Sequence, residues 1–114
     1  MSLKETFAGL PDAALIEVSL TVSRKQQTAF FRELSGEEME SILEPLRDDE
    51  GSIPKQRNRE FRNKVIAASL CEADGSPVIS AEMTSKLPNA LYVQLQRHAM
   101  GINGLLAESD DPKA

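Results

Sequence analysis

The sequence predicts an α+β fold, mainly α-helical, with an N-terminal β-hairpin packed on three to four helices. Three observations carry that expectation. Ile16, Val18, Leu20 and Val22 alternate with Glu17, Ser19, Thr21 and Ser23, the period-two pattern of a strand with one buried and one wet face. Ser35 and Glu38 stand three apart before an apolar stripe, the spacing of a helix capping box. Val65 to Cys71 then carries apolar or small side chains at every position, as a helix covered on several sides requires.

In chain order, residues 1–13 read as a flexible polar lead-in, closed by Pro11-Asp12. After the alternating strand, Arg24 to Gln26 form a turn and Thr28 to Leu34 return as a second strand. That stretch alternates poorly, so a helix is the competing assignment. A two-stranded hairpin is marginal alone in water and needs helices or a neighbour's sheet to cover it. Ser35 opens the first helix, Leu34 and Met39 sit where a hydrophobic staple belongs, and Met39, Ile42, Leu43 and Leu46 share one face. Pro45 kinks or ends this helix, because proline has no backbone N–H to donate.

Arg47 to Gln56 is a polar loop, and Asn58 is the expected cap of the central helix, which runs to the Asp74-Gly75 turn. Ser76 to Ile79 is extended ahead of a short turn capped by Ser80. Pro88 occupies the first position of the last helix, whose Leu91, Leu95, His98, Ala99 and Ile102 fall together on one side. Gly104 stands where a left-handed residue closes a helix, and Leu105 where its apolar contact belongs. Residues 14–106 thus form a single domain, and 107–114 a disordered tail.

Composition narrows the function classes. With 18 acidic against 13 basic residues the net charge is −5, the opposite of a nucleic-acid binder's balance. The densest basic run, Lys55 to Lys64, is interrupted by Glu60 and reads as the solvated start of a helix. No stretch approaches the roughly 20 apolar residues of a membrane span, and no signal peptide is evident. A cytoplasmic protein is therefore expected, with no membrane partner. Cys71 is the only cysteine, so it has no internal disulfide partner and suits a small buried hydrophobe.

Catalytic equipment is not evident in the sequence. His98 is the only histidine and lies at the edge of an apolar face, a structural position. Asp48, Asp49 and Glu50 cluster without the alternating oxygens of a calcium loop. Nucleophile elbows and phosphate-binding glycine loops are absent. The expectation is a non-enzyme without cofactor or metal. Val93 and Met100, seven apart, fall away from the main apolar face of the last helix and are the candidate partner-binding residues. Two explanations stand open for them: a contact with another chain, or cover of that side of the helix by the hairpin.

The order of these pieces resembles the phage tail assembly chaperones of long, non-contractile-tailed phages. The motifs that carry the likeness are an alternating strand, then Arg32-Glu33-Leu34-Ser35-Gly36-Glu37-Glu38, then Asn58-Arg59 opening an apolar run that ends in Asp74-Gly75, then Asn103-Gly104-Leu105. The likeness spans residues 14–106. The chain departs from the pattern at Pro45 and at Ser80-Ala81-Glu82, where relatives often carry an acidic pair. The resemblance implies a homo-oligomeric chaperone that binds the tape measure protein, keeps it soluble and helps recruit tail tube protein. It also implies a longer frameshifted form, with Asp111-Pro112-Lys113 as the place for a slippery codon run. The alternatives are a minor structural component of the tail and a small bacterial adaptor domain.

Overall fold

A computed structural model describes residues 2–9 and 15–105. The expected α+β class, mainly helical with a leading hairpin, is what the chain adopts. The elements are α1 (Leu3–Ala8), β1 (Leu15–Val22), β2 (Lys25–Arg32), α2 (Gly36–Leu43), α3 (Asn58–Ser69), β3 (Leu70–Cys71), α4 (Ala81–Thr84) and α5 (Asn89–Ile102). Short 3-10 turns follow α2 at Glu44–Leu46 and precede α3 at Lys55–Arg57. The expected tail 107–114 and the Pro11-Asp12 closure lie outside the described residues.

Part of the expected lead-in is helical. The Ser2 hydroxyl caps α1 by accepting from the Glu5 N–H, and every side chain of this short helix is exposed. β1 and β2 form the hairpin in the register Val22↔Lys25 through Leu15↔Arg32, so the second strand begins three residues before the expected Thr28. Its turn is the two-residue Ser23-Arg24, with φ of 51° and 68°. Two successive positive φ values match the right-handed twist of the strands, a geometry that favours Asn-Gly. Leu20 and Phe31 point into the core from this hairpin, with Val18, Val22 and Ala29 packed beside them.

The central helix is shorter than its apolar pattern implies. α3 stops at Ser69, and Leu70 turns to an extended ψ of 125°. Leu70 and Cys71 then pair with Phe31 and Phe30, adding a third strand in the order β1-β2-β3. The apolar-all-round signature of Val65 to Cys71 therefore records two environments in sequence, a buried helix face and a buried strand. An apolar run of this length cannot by itself separate those two. Asp74-Gly75 is the turn that follows β3 rather than the end of the helix, with Gly75 at φ 89° and a bridge from Cys71 to Pro77. Asn58 is likewise inside α3 and not its cap, because the Lys55–Arg57 turn leads directly into the helix.

The remaining boundaries follow local chemistry. Ser35 and Glu38 make the full reciprocal capping box. Pro45 ends α2 by diverting the chain into its 3-10 turn. Ser80 caps α4 through the Met83 N–H, and α5 begins one residue after Pro88. At its far end the Leu105 N–H reaches Met100 O and the Gly104 N–H reaches Gly101 O, with Gly104 at φ 68°, which is a Schellman closure.

One continuous core joins the hairpin, α3 and α5 through Phe31, Val65, Ile66, Leu70, Tyr92, Leu95 and Ala99. Burying each of the larger side chains contributes about 1.5–3 kcal/mol. Among the described residues β1 is an edge strand of the sheet. Val22 and Lys25 flank the turn and exchange both ladder bonds, so Thr21 faces outward. The Gln94 carboxamide clasps it there, accepting from the Thr21 N–H at 2.9 Å and donating to the Thr21 carbonyl at 2.9 Å.

The turn carries a test. A non-glycine residue in the left-handed region is disfavoured by about 1–2 kcal/mol. Replacing Ser23-Arg24 by Asn-Gly is expected to raise the unfolding free energy by about 1 kcal/mol, read as a higher urea midpoint at unchanged slope. A lower midpoint would show that the Ser23 and Arg24 side chains hold the hairpin.

Candidate functional site

The residues singled out by sequence are distributed over the fold in a way periodicity alone did not show. α5 packs against both the hairpin and α3, so two of its faces are covered. Leu95, His98 and Ala99 lie on the expected side, and the His98 ring sits 5.7 Å from Phe31. Tyr92 and Met100 face α3 instead. Met100 is 8 % exposed and belongs to the core cluster, whereas Val93 is 40 % exposed. The two candidate partner-binding residues therefore do not share one open stripe. Met100 is buried, and the element beside it is α3 rather than the expected hairpin.

Two polar nodes hold the surfaces around this packing. In the first, the Arg32 guanidinium donates to both carboxylate oxygens of Glu38, at 3.0 and 2.6 Å. Glu38 also accepts from the Ser35 N–H at 3.1 Å. The Arg32 bond is the main reason, and the Ser35 N–H the next, why the Glu38 carboxyl is lowered to about 2. Its side chain remains 41 % exposed, so water screens the pair and its net contribution is far smaller than the shift alone implies.

In the second node the Asn103 carboxamide accepts from the Leu34 N–H at 2.6 Å. It donates to Ser69 Oγ at 2.9 Å and to the Ala99 carbonyl at 2.8 Å. One side chain thus joins the start of α2, the end of α3 and the end of α5. A third contact, buried between α3 and α5, is the Tyr92 hydroxyl donating to Asn63 Oδ1 at 2.7 Å, with the Arg59 guanidinium 4.9 Å above the Tyr92 ring. Tyr92 and Asn63 were not singled out by sequence, since a tyrosine and an asparagine carry no periodic signal.

Beside this seam lies a pocket of about 190 Å³ lined by Asn58, Phe61, Arg62, Gln96 and Met100. The first three share one face of α3 at i, i+3 and i+4 spacing, and Gln96 and Met100 stand one turn apart on α5. The Arg62 Nε is shielded from water and has no hydrogen-bond partner. Among the described residues no group of three His, Cys, Asp or Glu side chains is placed to hold a metal ion. No described helix is long and apolar enough to cross a membrane. Cys71 is buried with its Sγ 3.6 Å from the Phe30 carbonyl, and burial pushes its thiol pKa up, the direction of an unreactive thiol. In comparisons with known proteins, no family model, curated protein or solved structure matches the chain.

Each node carries a prediction. Glu38 is depressed in the folded chain, so its contribution is complete above the unfolded value of about 4.3 and is lost as pH falls toward 2. In Glu38→Gln the drop in urea midpoint between about pH 6 and about pH 2.5 is expected to shrink. An undiminished drop would assign the acid sensitivity to other carboxylates. Asn103→Ala leaves the Leu34 N–H without its acceptor and is expected to cost about 2 kcal/mol by urea denaturation. A cost of only about a few tenths of a kcal/mol would mean that water replaces the amide.

Proposed function

We propose that this protein is a tail assembly chaperone of a long-tailed phage or prophage. In that role it binds the tape measure protein in the bacterial cytoplasm, keeps it soluble and helps recruit tail tube protein. It performs no catalysis on this reading, uses no cofactor and acts as a homo-oligomer. The observation that carries the reading is the meeting of motifs far apart in sequence. Arg32 to Glu38 forms the capping box and the guanidinium fork, and Asn103-Gly104-Leu105 closes α5. The Leu34 N–H joins the two across 69 residues of chain. Arg59 of the Asn58-Arg59 motif covers the Tyr92 ring in the same seam. Motifs that interlock in this way support a resemblance based on a coupled set rather than on separate, common capping signals.

The physical task suits a protein of this kind. A long apolar helical partner aggregates if it is left bare, and several weak sites on an oligomer retain it by avidity while allowing later displacement. The test is co-expression with the tape measure protein of the same genome, followed by affinity capture. Soluble tape measure protein recovered with several copies of this chain is the expected outcome. Insoluble tape measure protein, together with this chain in digests of purified particles, would favour a structural tail component.

A further inference from the structure

We infer that the pocket between α3 and α5 is a recognition site for a carboxylate side chain presented by a protein partner, with an apolar residue beside it. The charge accounting of the arginines leads there. Arg32 holds Glu38, Arg47 holds Glu40 and Glu44, Arg57 donates to the Pro45 carbonyl, and Arg59 lies over Tyr92. Arg24 and Arg97 are exposed and solvated. Arg62 differs from all of these. It is half-buried, its Nε is cut off from water without a partner, and it has no carboxylate partner among the described residues. Its Nε has lost hydration with no acceptor in return, and a carboxylate is the group that matches the donor geometry of a guanidinium.

The surroundings define the rest of the ligand. Asn58 and Gln96 add amide donors and acceptors at the walls, while Phe61 and Met100 offer an apolar surface. A volume of about 190 Å³ lies below the range of nucleotide and cofactor pockets but suits one acidic side chain and part of a neighbour. Charge decides between a carboxylate and a polyphosphate. A chain of net charge −5 repels a nucleic acid, whereas a single carboxylate meets one local cation at little long-range cost. The inference stands on the pocket itself and does not depend on the chaperone reading.

The probe is a capped, helix-forming peptide with Leu and Glu one turn apart, and its control carries Gln in place of Glu. Binding is followed through the Arg62 Nε–H and Gln96 side-chain amide resonances of the full chain. The Glu peptide is expected to shift both saturably, and the Gln control to bind about tenfold more weakly. Arg62→Met, which keeps the stem, is expected to abolish the Gln96 shift while leaving the thermal midpoint unchanged or higher, since an unpartnered donor has been removed. Equal response to both peptides, no response to either, or a lowered midpoint in Arg62→Met would overturn the inference. So would a stronger response to inorganic phosphate, which would make the site a phosphate site. A concentration-dependent shift without peptide, which would make a second copy the occupant, would overturn it too.

Discussion

The Asn103 carboxamide sits where three segments end or begin, and the packing of the helices depends on what it bonds. Leu34 enters α2, Ser69 leaves α3 and Ala99 lies in the last turn of α5. Each of these sites has backbone or hydroxyl groups left over where a helix or strand stops, and buried leftovers destabilise a fold unless they are paired. An amide both donates and accepts in a fixed plane, so it can satisfy donors and acceptors from different elements together. The Schellman closure at Gly104 holds Asn103 in this position as the cap that follows the last residue of α5, Ile102.

The same economy of polar groups recurs at the sheet edge and at the start of α2. Gln94 reproduces one rung of a strand pair on Thr21, which couples α5 to the hairpin through the backbone rather than through side-chain fit. Glu38 serves as half of a capping box and as the acceptor of the Arg32 fork. The hairpin and α2 are thereby fixed to each other across the Glu33-Leu34 link. The apolar core fills the space these polar ties define, with Phe31 and Leu95 at its centre.

Against that background Arg62 stands apart. The other half-buried arginines, Arg32 and Arg47, are both matched to carboxylates within their own neighbourhood. Arg62 has no such match among the described residues, and its Nε is left buried without an acceptor beside the pocket between α3 and α5.

Local chemistry was legible in the sequence because its causes are local. The Ser35–Glu38 capping box, the Ser80 cap, the Pro45 stop, the Gly104 closure and the inward side of β1 at Val18, Leu20 and Val22 each follow from a few neighbouring residues, whereas Ile16 of the same alternation is exposed. The switch from helix to strand at Leu70 was not legible, because it is decided by Phe30 and Phe31, some forty residues earlier in the chain. The side of α5 on which Met100 lies was open for the same reason, since only the approach of α3 covers that face. Asn103 could be read as the last residue of a helix, but not as the amide that joins three elements. Periodicity reports how a segment is exposed on average, whereas the partner that covers it is set by tertiary contact.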